Sequence, residues 1–232
     1  MQNEPLAYKM RPKNLDEIVG QKHIIGPNTP LYKMIQNGHV PSMLLYGPPG
    51  IGKTSIANAI AGTSKLPFFA LNATHAGKKD VEQIVMEARM TGKVILFLDE
   101  IHRFNKLQQD ALLPHVENGS IVLLGATTEN PFHDVNPAIR SRCGEILQLT
   151  RLTTEDLTEL LHLALTDKSR GLGQFEIIAT DEQLTHLAQA ANGDARKALT
   201  LLESVYYASE EQDGVTTLSD TAIEALAKRI GV

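Results

Sequence analysis

Short apolar runs alternate with helix-like segments between Ser42 and Thr150. Five runs have the length and the aliphatic or aromatic content of buried strands: SMLLYG, FFALN, KVILFLDE, SIVLLGATT and EILQLT. Between them, helix-like patterns cover residues 53–61, 80–90 and 105–116. Strands that alternate with helices build βαβ units, so we predict an α/β fold with a mostly parallel sheet and helices on both of its faces.

The pattern changes after Arg151. In LTTEDLTELLHLALT the apolar residues form one helical stripe, and Thr153 with Asp156 matches a capping box. Thr180 with Gln183 repeats this start signal, and two later stretches, GDARKALTLLESVYYA and SDTAIEALAKRI, predict further amphipathic helices. The segment DKSRGLGQFEIIA is predicted as a loop with one short extended piece. We therefore predict an α/β domain over residues 1–150 and a small all-helical domain over 151–232.

Composition places the chain among globular proteins and excludes several other classes of protein. Its 232 residues are 42% hydrophobic and 21% charged, with no run of 18 apolar residues and no apolar N-terminal signal. We therefore expect a cytoplasmic protein without a membrane partner. A single cysteine, Cys143, excludes an internal disulfide framework and a multi-cysteine zinc site.

Charge is divided unevenly between the two predicted domains. Residues 1–150 carry 15 basic and 13 acidic side chains, a net charge of +2, whereas residues 151–232 carry 7 and 14, a net charge of −7. A polyanion is therefore expected on the first domain, at Lys78 and Lys79 or at Arg103 and Lys106. Solvated surface charge is the alternative interpretation of each pair.

The stretch GPPGIGKT carries the clearest chemistry. It follows the apolar run MLLY and opens a helix, which is the context of a phosphate-binding loop. Glycines allow backbone N–H groups to turn toward the phosphates of ATP, Lys53 reaches the β- and γ-phosphates, and Thr54 can bind Mg²⁺. The glycine spacing does not fit a dinucleotide-binding loop. The predicted nucleotide-binding residues here are Gly47, Pro48, Pro49, Gly50, Ile51, Gly52, Lys53, Thr54 and Ser55.

Polar residues follow two of the other predicted strands. Asp99, at the end of VILFLDE, is the expected Mg²⁺ partner, and Glu100 is placed to activate water as a general base, which favours an ATPase over a kinase. At the end of SIVLLGATT, the side chain of Thr127 could bind the attacking water or the γ-phosphate. The alternatives are a solvated strand end for the carboxylates and a β-branched strand residue before an Asn-Pro turn for Thr127.

Arg196 is a candidate in the second domain. In NGDAR, Asp194 caps a helix and Arg196 lies in its first turn, where its charge could contact phosphates. A surface charge is the alternative. His102 and His115 lack the spacing of a zinc site, so we predict structural or surface roles for them and no transition metal.

Together, GPPGIGKT, LFLDE, GATTEN, SRC and GDAR resemble, in this order, the AAA+ ATPases of the clamp-loader clade. Within it, MRPKNLDEIVGQKHI, DEIHRFNKLQQDALLPHVENG and GATTENP resemble the RarA/MgsA family, the bacterial relatives of the Werner-helicase-interacting protein. The resemblance implies a P-loop AAA+ module whose five-stranded sheet has the GATT strand between the loop strand and the acidic strand. It also implies a helical lid with ATP at the junction, and a DNA-dependent ATPase of replication-fork maintenance and recombination that is activated by DNA ends or gaps.

Several further roles are implied by the resemblance alone. Ile18 and Val19 would contact adenine, Arg11 and Pro12 would lie at the mouth of the site, and Asn72 would restrain the general base until DNA binds. Thr127 would be sensor 1, Arg196 sensor 2, and Arg142 the arginine finger of a homo-oligomer. Arg140 is interpreted as a support or interface residue, and a surface charge is the alternative interpretation of Arg142. Family members continue into an oligomerisation region beyond the residues given, and a single-stranded-DNA-binding protein is an expected partner.

Three other functions remain open. A clamp-loader-like or branch-migration subunit would use the same motifs. A protein-remodelling machine normally has an aromatic residue in the loop after the second strand, but NATHAGKKD has His75, Lys78 and Lys79 instead, which favours contact with a DNA backbone. A nucleotide-gated scaffold without turnover is disfavoured by Glu100.

Overall fold

The computed structural model describes residues 4–230 and divides them into two compact units. Pro12–Thr150 forms the sheet unit. The helical unit consists of the residues from Arg151 onward together with the segment that ends at Arg11.

A parallel sheet organises the sheet unit. Its strands are β1 (Met43–Tyr46), β2 (Phe68–Asn72), β3 (Val94–Asp99), β4 (Ile121–Thr127) and β5 (Glu145–Gln148). Among the described residues these five strands lie in the order β2-β3-β4-β1-β5, with every neighbouring pair parallel. The central strands β3 and β4 are almost entirely buried, as expected for continuous apolar runs covered on both faces. The predicted α/β class and the position of β4 between β1 and β3 are confirmed.

Helices cover both faces of this sheet. They are α2 (Lys22–Ile25), α3 (Pro30–Gln36), α4 (Lys53–Ser64), α5 (Lys78–Thr91), α6 (Lys106–Glu117), α7 (Pro131–Asp134) and α8 (Pro137–Arg140). One apolar cluster joins α3 and α4 to the sheet through residues such as Ile35, Ile60 and Leu45. The other joins α5 and α6 to the opposite face through Ile84, Leu112 and others. The crossover helices thus fix the strand order, and all five strands end at the same edge.

The helical unit contains α1 (Leu6–Lys9), α9 (Thr154–Thr166), α10 (Asp181–Ala191), α11 (Ala195–Ala208) and α12 (Asp220–Ile230). Capping boxes begin α9 at Thr153 and α10 at Thr180, as predicted. Three short strands, β6 (Glu176–Ile178), β7 (Glu211–Gln212) and β8 (Val215–Thr217), form a second sheet. The predicted helical lid and its short extended piece, β6, are confirmed. The lid also contains a hairpin that was not predicted, in which Asp213 and Gly214, both with positive φ, turn the chain from β7 into β8.

The placement of the N-terminal segment also differs from the prediction. The sequence pattern predicts the residues up to 11 as part of the first domain, but Leu6 is fully buried and α1 packs against α11. The backbone N–H of Leu6 donates to Glu203 Oε1 at 3.1 Å. Burial of this leucine therefore ties α1 to the helical unit. No helix in the described part of the chain is long and apolar enough to cross a membrane.

Candidate nucleotide site

The phosphate loop leaves β1 and enters α4. Gly50 and Gly52 have φ values of +78° and +93°, in the region that favours glycine. A Cβ on Gly47 would lie 2.6 Å from the carbonyl oxygen of Leu149, so this position accepts no side chain without movement. The glycines therefore allow a tight turn directly before the N-terminus of α4, where free N–H groups favour an anion.

Lys53 is the first residue of α4 and is buried. Its Nζ donates to the carbonyl oxygens of Gly47 at 2.8 Å and Pro48 at 2.9 Å. Burial lowers the pKa of Lys53, and the nearby carboxylates of Asp99 and Glu100 partly oppose this shift. The cation thus lies inside the loop, in the electrostatic field of the acidic strand end.

The other predicted loop residues differ in exposure. Ile51 is buried in the apolar cluster beneath the loop and anchors it. Pro49, Gly50 and Thr54 are exposed, whereas Ser55 is half-buried. Packing of Ile51 therefore holds the loop in place, while the groups that would face a nucleotide lie nearer the surface.

The acidic residues lie at the end of β3. Asp99 Oδ1 accepts the backbone N–H of Glu100 at 2.9 Å. Glu100 has a left-handed backbone with φ of +55°, which costs roughly 1–3 kcal/mol for a residue other than glycine. Pairing of Leu98 with Gly125 and of Tyr46 with Thr127 brings the ends of β3, β4 and β1 to one edge. Lys53, Asp99, Glu100 and Thr127 are thereby gathered on neighbouring elements.

Thr127 is completely buried, and its side chain makes two polar contacts among the described residues. Its Oγ1 accepts the backbone N–H of Glu129 at 3.0 Å and lies 2.8 Å from His102 Nδ1. His102 Nε2 lies 3.4 Å from Glu100 Oε2. Sequence analysis missed this histidine, which joins the two polar strand ends, because only spatial proximity to Thr127 distinguishes it from other helix-flanking histidines.

The residues that are expected to surround the adenine of ATP are found in two units. Ile18 and Val19 are half-buried in the sheet unit, where Ile18 packs against the apolar cluster that includes the loop residue Ile51. Pro12, half-buried, begins that unit. Arg11 belongs to the helical unit, where its guanidinium lies 4.8 Å from the Tyr8 ring centroid. Contact of these residues with adenine stays a prediction.

Asn72 ends β2 and is paired with Asp99 on β3. Its Oδ1 accepts hydrogen bonds from the backbone N–H and the hydroxyl of Thr74. This places the amide beside the acidic strand end. Restraint of Glu100 by Asn72 stays a prediction.

The segment between α8 and β5 holds the candidate arginine finger. Arg142 donates to Ala138 O at 2.9 Å and pairs with Glu117 Oε2 at 3.1 Å. Arg140 lies 5.9 Å from the Phe132 ring centroid. Cys143 packs against the apolar cluster, and burial raises its pKa to about 12. Arg142 thus lies by β5, at one end of the strand order, with 30% of its side chain exposed.

Arg196 is exposed in the first turn of α11. Asp194 caps this helix by accepting the Lys197 N–H at 3.1 Å, as predicted. The cap fixes the start of the helix and therefore the direction of its first turn. The sensor role of Arg196 stays a prediction.

The four candidate DNA-binding cations lie at the starts of α5 and α6. Lys78, Lys79, Arg103 and Lys106 are all exposed. The Gln108 side chain donates to Ala76 O at 2.6 Å and so joins the two helix starts. Because α5 follows β2 and α6 follows β3, these cations belong to the same edge of the sheet as the phosphate loop. Lys78 also pairs with Glu82, at 3.5 Å, on the surface of α5.

Two family models match the chain and define its class. The model described as "ATPase family associated with various cellular activities (AAA)" matches residues 43–151, and the one described as "AAA C-terminal domain" matches residues 172–231. The structure is also similar to the Thermotoga maritima RuvB Holliday junction branch migration motor, with a TM-score of 0.78 and 26% identity over 97% of this chain and 76% of that one. Fold and site therefore define an AAA+ ATPase module.

Curated relatives narrow the class. Replication-associated recombination protein A of Bacillus subtilis is 48% identical over 97% of the chain and 54% of its own length, and that of Escherichia coli is 43% identical over 90% and 48%. ATPase WRNIP1 of Dictyostelium discoideum is 41% identical over 90% and 24%. The chain belongs to the replication-associated recombination protein A family of AAA+ ATPases. It spans about half the length of these bacterial relatives.

Proposed function

We propose that this chain is the ATP-hydrolysing part of a DNA-dependent ATPase of replication-fork maintenance and recombination, which acts on DNA ends or gaps. One observation carries the proposal: the loop lysine, the two carboxylates and Thr127 meet at the ends of three adjacent strands. Similarity to replication-associated recombination protein A of two bacteria supports the cellular setting.

Binding of ATP begins at the phosphate loop. The glycine-rich turn presents N–H groups at the N-terminus of α4, and Lys53 contributes a cation that exchanges its carbonyl partners for phosphate oxygens. The half-buried Ile18 and Val19 would pack on the base, with Arg11 and Pro12 at the mouth of the site.

Magnesium fits the oxygen ligands at this position. The Thr54 hydroxyl and the Asp99 carboxylate are hard donors on neighbouring elements, and they would hold the ion. A bound Mg²⁺ would neutralise charge on the β- and γ-phosphates. Asp99 is held in place by the hydrogen bond that it accepts from the backbone of Glu100.

Hydrolysis needs a base for the attacking water. Glu100 lies one residue beyond Asp99, and its left-handed backbone turns the chain away from β3 at the end of the sheet. Thr127 would orient the water or the γ-phosphate from the adjacent strand. Arg142 of a neighbouring subunit and Arg196 would stabilise the charge that develops on the transferring phosphoryl group.

DNA would bind at the cations that start α5 and α6. They flank the carboxylate edge of the sheet, and Asn72, which ends β2 and pairs with Asp99 on β3, could relay contact to Glu100. Full function would use a homo-oligomer of a longer form and a single-stranded-DNA-binding protein as partner.

A second candidate is branch migration of DNA junctions. The observation in its favour is the similarity over nearly the whole chain to the RuvB branch migration motor. Both candidates use the same hydrolytic site, so they differ in the DNA structure that stimulates it.

The test is the ATPase rate of this chain, and of a longer natural form, with single strands, blunt ends, gapped duplexes, forks and four-way junctions. Stimulation by ends, gaps or forks is the expected result. Preferential stimulation by four-way junctions would favour branch migration instead. An ATPase rate that no DNA changes in either form would contradict DNA dependence.

A further inference from the structure

His102 connects the two polar strand ends of the nucleotide site. Its Nδ1 lies 2.8 Å from Thr127 Oγ1 and its Nε2 lies 3.4 Å from Glu100 Oε2. The imidazole is nearly buried, with 10% of the side chain exposed, while 31% of the Glu100 side chain is exposed. The ring therefore has one protected partner on β4 and one partner that faces the open side of the site.

The backbone explains why the ring reaches both partners. Glu100 turns the chain with φ of +55°, and the Arg103 N–H donates to Glu100 O at 2.8 Å to close a 3₁₀ turn over Ile101–Arg103. Ile101 is buried against Gly125, where a Cβ would come within 2.7 Å of Ile101 Cδ1. A glycine in β4 thus lets the turn lie close against the strand, two residues before Thr127.

The partners determine where the protons lie on a neutral imidazole. A carboxylate oxygen only accepts, so a neutral ring whose Nε2 faces Glu100 Oε2 at 3.4 Å is assigned the tautomer with its proton on Nε2. Nδ1 is then the acceptor, and Thr127 donates its hydroxyl proton to it. Thr127 Oγ1 in turn accepts the Glu129 N–H at 3.0 Å. Each group in this series therefore donates a hydrogen bond to the next: the Glu129 amide to Thr127, Thr127 to His102, and His102 to Glu100.

This order creates a conflict at Thr127. A threonine hydroxyl has one proton, so it cannot donate to His102 and to a phosphate oxygen or the attacking water at the same time. If Thr127 turns its proton to the γ-phosphate, Nδ1 loses its donor and the ring loses the contact that orients it. A change in the orientation of the ring would then alter the 3.4 Å contact between His102 Nε2 and Glu100 Oε2.

We propose that His102 is a positioning residue that couples Thr127 to Glu100, so that the γ-phosphate contact of Thr127 sets the orientation of the general base. This inference rests on the proposed ATPase function and deepens it. In this proposal, His102 affects hydrolysis through Glu100 and does not itself contact ATP.

The kinetic test compares His102→Ala with His102→Gln, whose amide nitrogen reaches the position of Nε2, and with His102→Asn, which reaches only the position of Nδ1. We expect His102→Ala to lower kcat roughly 10- to 100-fold, the scale of a misplaced catalytic group, with ATP affinity nearly unchanged. His102→Gln should recover more of kcat than His102→Asn. The matched control is His39→Ala, an exposed histidine outside the site.

A double-mutant cycle with Thr127→Val separates coupling from simple support. If His102 and Thr127 act on Glu100 through the same contacts, the kcat of the double variant should be no lower than that of the less active single variant. Unchanged kcat in His102→Ala, additive losses in the cycle, or a loss confined to ATP affinity would each overturn the proposal.

A second readout does not need turnover. Long-range ¹H–¹⁵N spectra of the imidazoles should show the His102 proton on Nε2, and Thr127→Val should shift the Nδ1 resonance while His39→Ala leaves it in place. A proton on Nδ1, or an Nδ1 resonance that ignores Thr127→Val, would overturn the inference. Wild-type protein without ATPase activity in its longer form would contradict the proposed function instead, and these spectra would still decide the coupling.

Discussion

Two cations of the sheet unit, Lys53 and Arg142, have opposite surroundings. Lys53 is buried and donates to two carbonyl oxygens of its own loop, within the field of Asp99 and Glu100. Arg142 keeps 30% of its side chain exposed and pairs with Glu117, which is 67% exposed. Arg142 also donates to Ala138 O at 2.9 Å, so release of the guanidinium breaks this hydrogen bond as well as a surface ion pair, which contributes little to stability. The difference shows that Lys53 is enclosed by its own loop, whereas Arg142 is partly exposed at one end of the strand order. Service of Arg142 to a neighbouring subunit stays a prediction.

Substitution of the buried cation, Lys53, should have the largest effect. Lys53→Ala removes the charge that would meet the β- and γ-phosphates, and we expect no measurable ATP binding in calorimetry. Thermal melting without nucleotide serves as the folding control. ATP binding with wild-type affinity would remove Lys53 from the site.

Arg142→Ala tests the exposed cation. Loss of an arginine finger should lower the ATPase rate of the assembled longer form by about 10³-fold, with ATP binding retained. Mixing this variant with Lys53→Ala subunits should restore activity, to about a quarter of the wild-type rate for random equimolar assembly into rings, because one variant keeps the loop and the other keeps the finger. Inactive mixtures would mean that Arg142 serves its own subunit, and the contrast with Lys53 would disappear.

Glu100→Gln removes the candidate general base and leaves Lys53 and Arg142 in place. We expect retained ATP binding and a fall in kcat of about 10²-fold or more. Rapid-quench measurements of a single turnover give the rate of the chemical step. A wild-type rate would exclude Glu100 as the general base.

Removing the four candidate DNA-binding cations should have a smaller effect. Replacement of Lys78, Lys79, Arg103 and Lys106 by Ala should weaken DNA binding and flatten its dependence on salt, while basal ATP hydrolysis stays near the wild-type rate. The charge-matched control replaces four other exposed cations: Lys33, Arg89, Lys168 and Lys228. Equal losses in both variants would indicate a general effect of net charge.

Glu117→Gln should have the smallest effect. The exposed pair with Arg142 is worth on the order of 0.2–1 kcal/mol, so thermal stability should hardly change. The ATPase rate of the assembled form should stay within about fivefold of wild type. A loss as large as that of Arg142→Ala would show that Glu117 is required to hold the arginine in place.

The sequence predicted most of the sheet unit because its signals are local. Apolar runs bounded by polar residues located β3 and β4, and glycine spacing located the loop before α4. The left-handed backbone of Glu100 and the contact of His102 with Thr127 could not be predicted, since they depend on how closely a turn lies against a neighbouring strand. Burial of Leu6 depends on packing against a helix almost 200 residues later.

The hairpin between β7 and β8 was missed for a different reason. Its strands are two and three residues long, too short for periodicity to register, although the Asp213-Gly214 pair is a recognised turn signal. Close attention to such dipeptides would have found it.

The raised pKa of Cys143 has a practical consequence for spectroscopy. At a pKa of about 12, fewer than roughly one thiol in ten thousand is ionised at neutral pH, and the thiolate is the form that reacts with maleimides. Because the chain has a single cysteine, a second one introduced at an exposed position should take a fluorophore selectively, with the native residue left in place. These 232 residues are therefore suited to site-specific labelling and single-molecule fluorescence with Cys143 left in place.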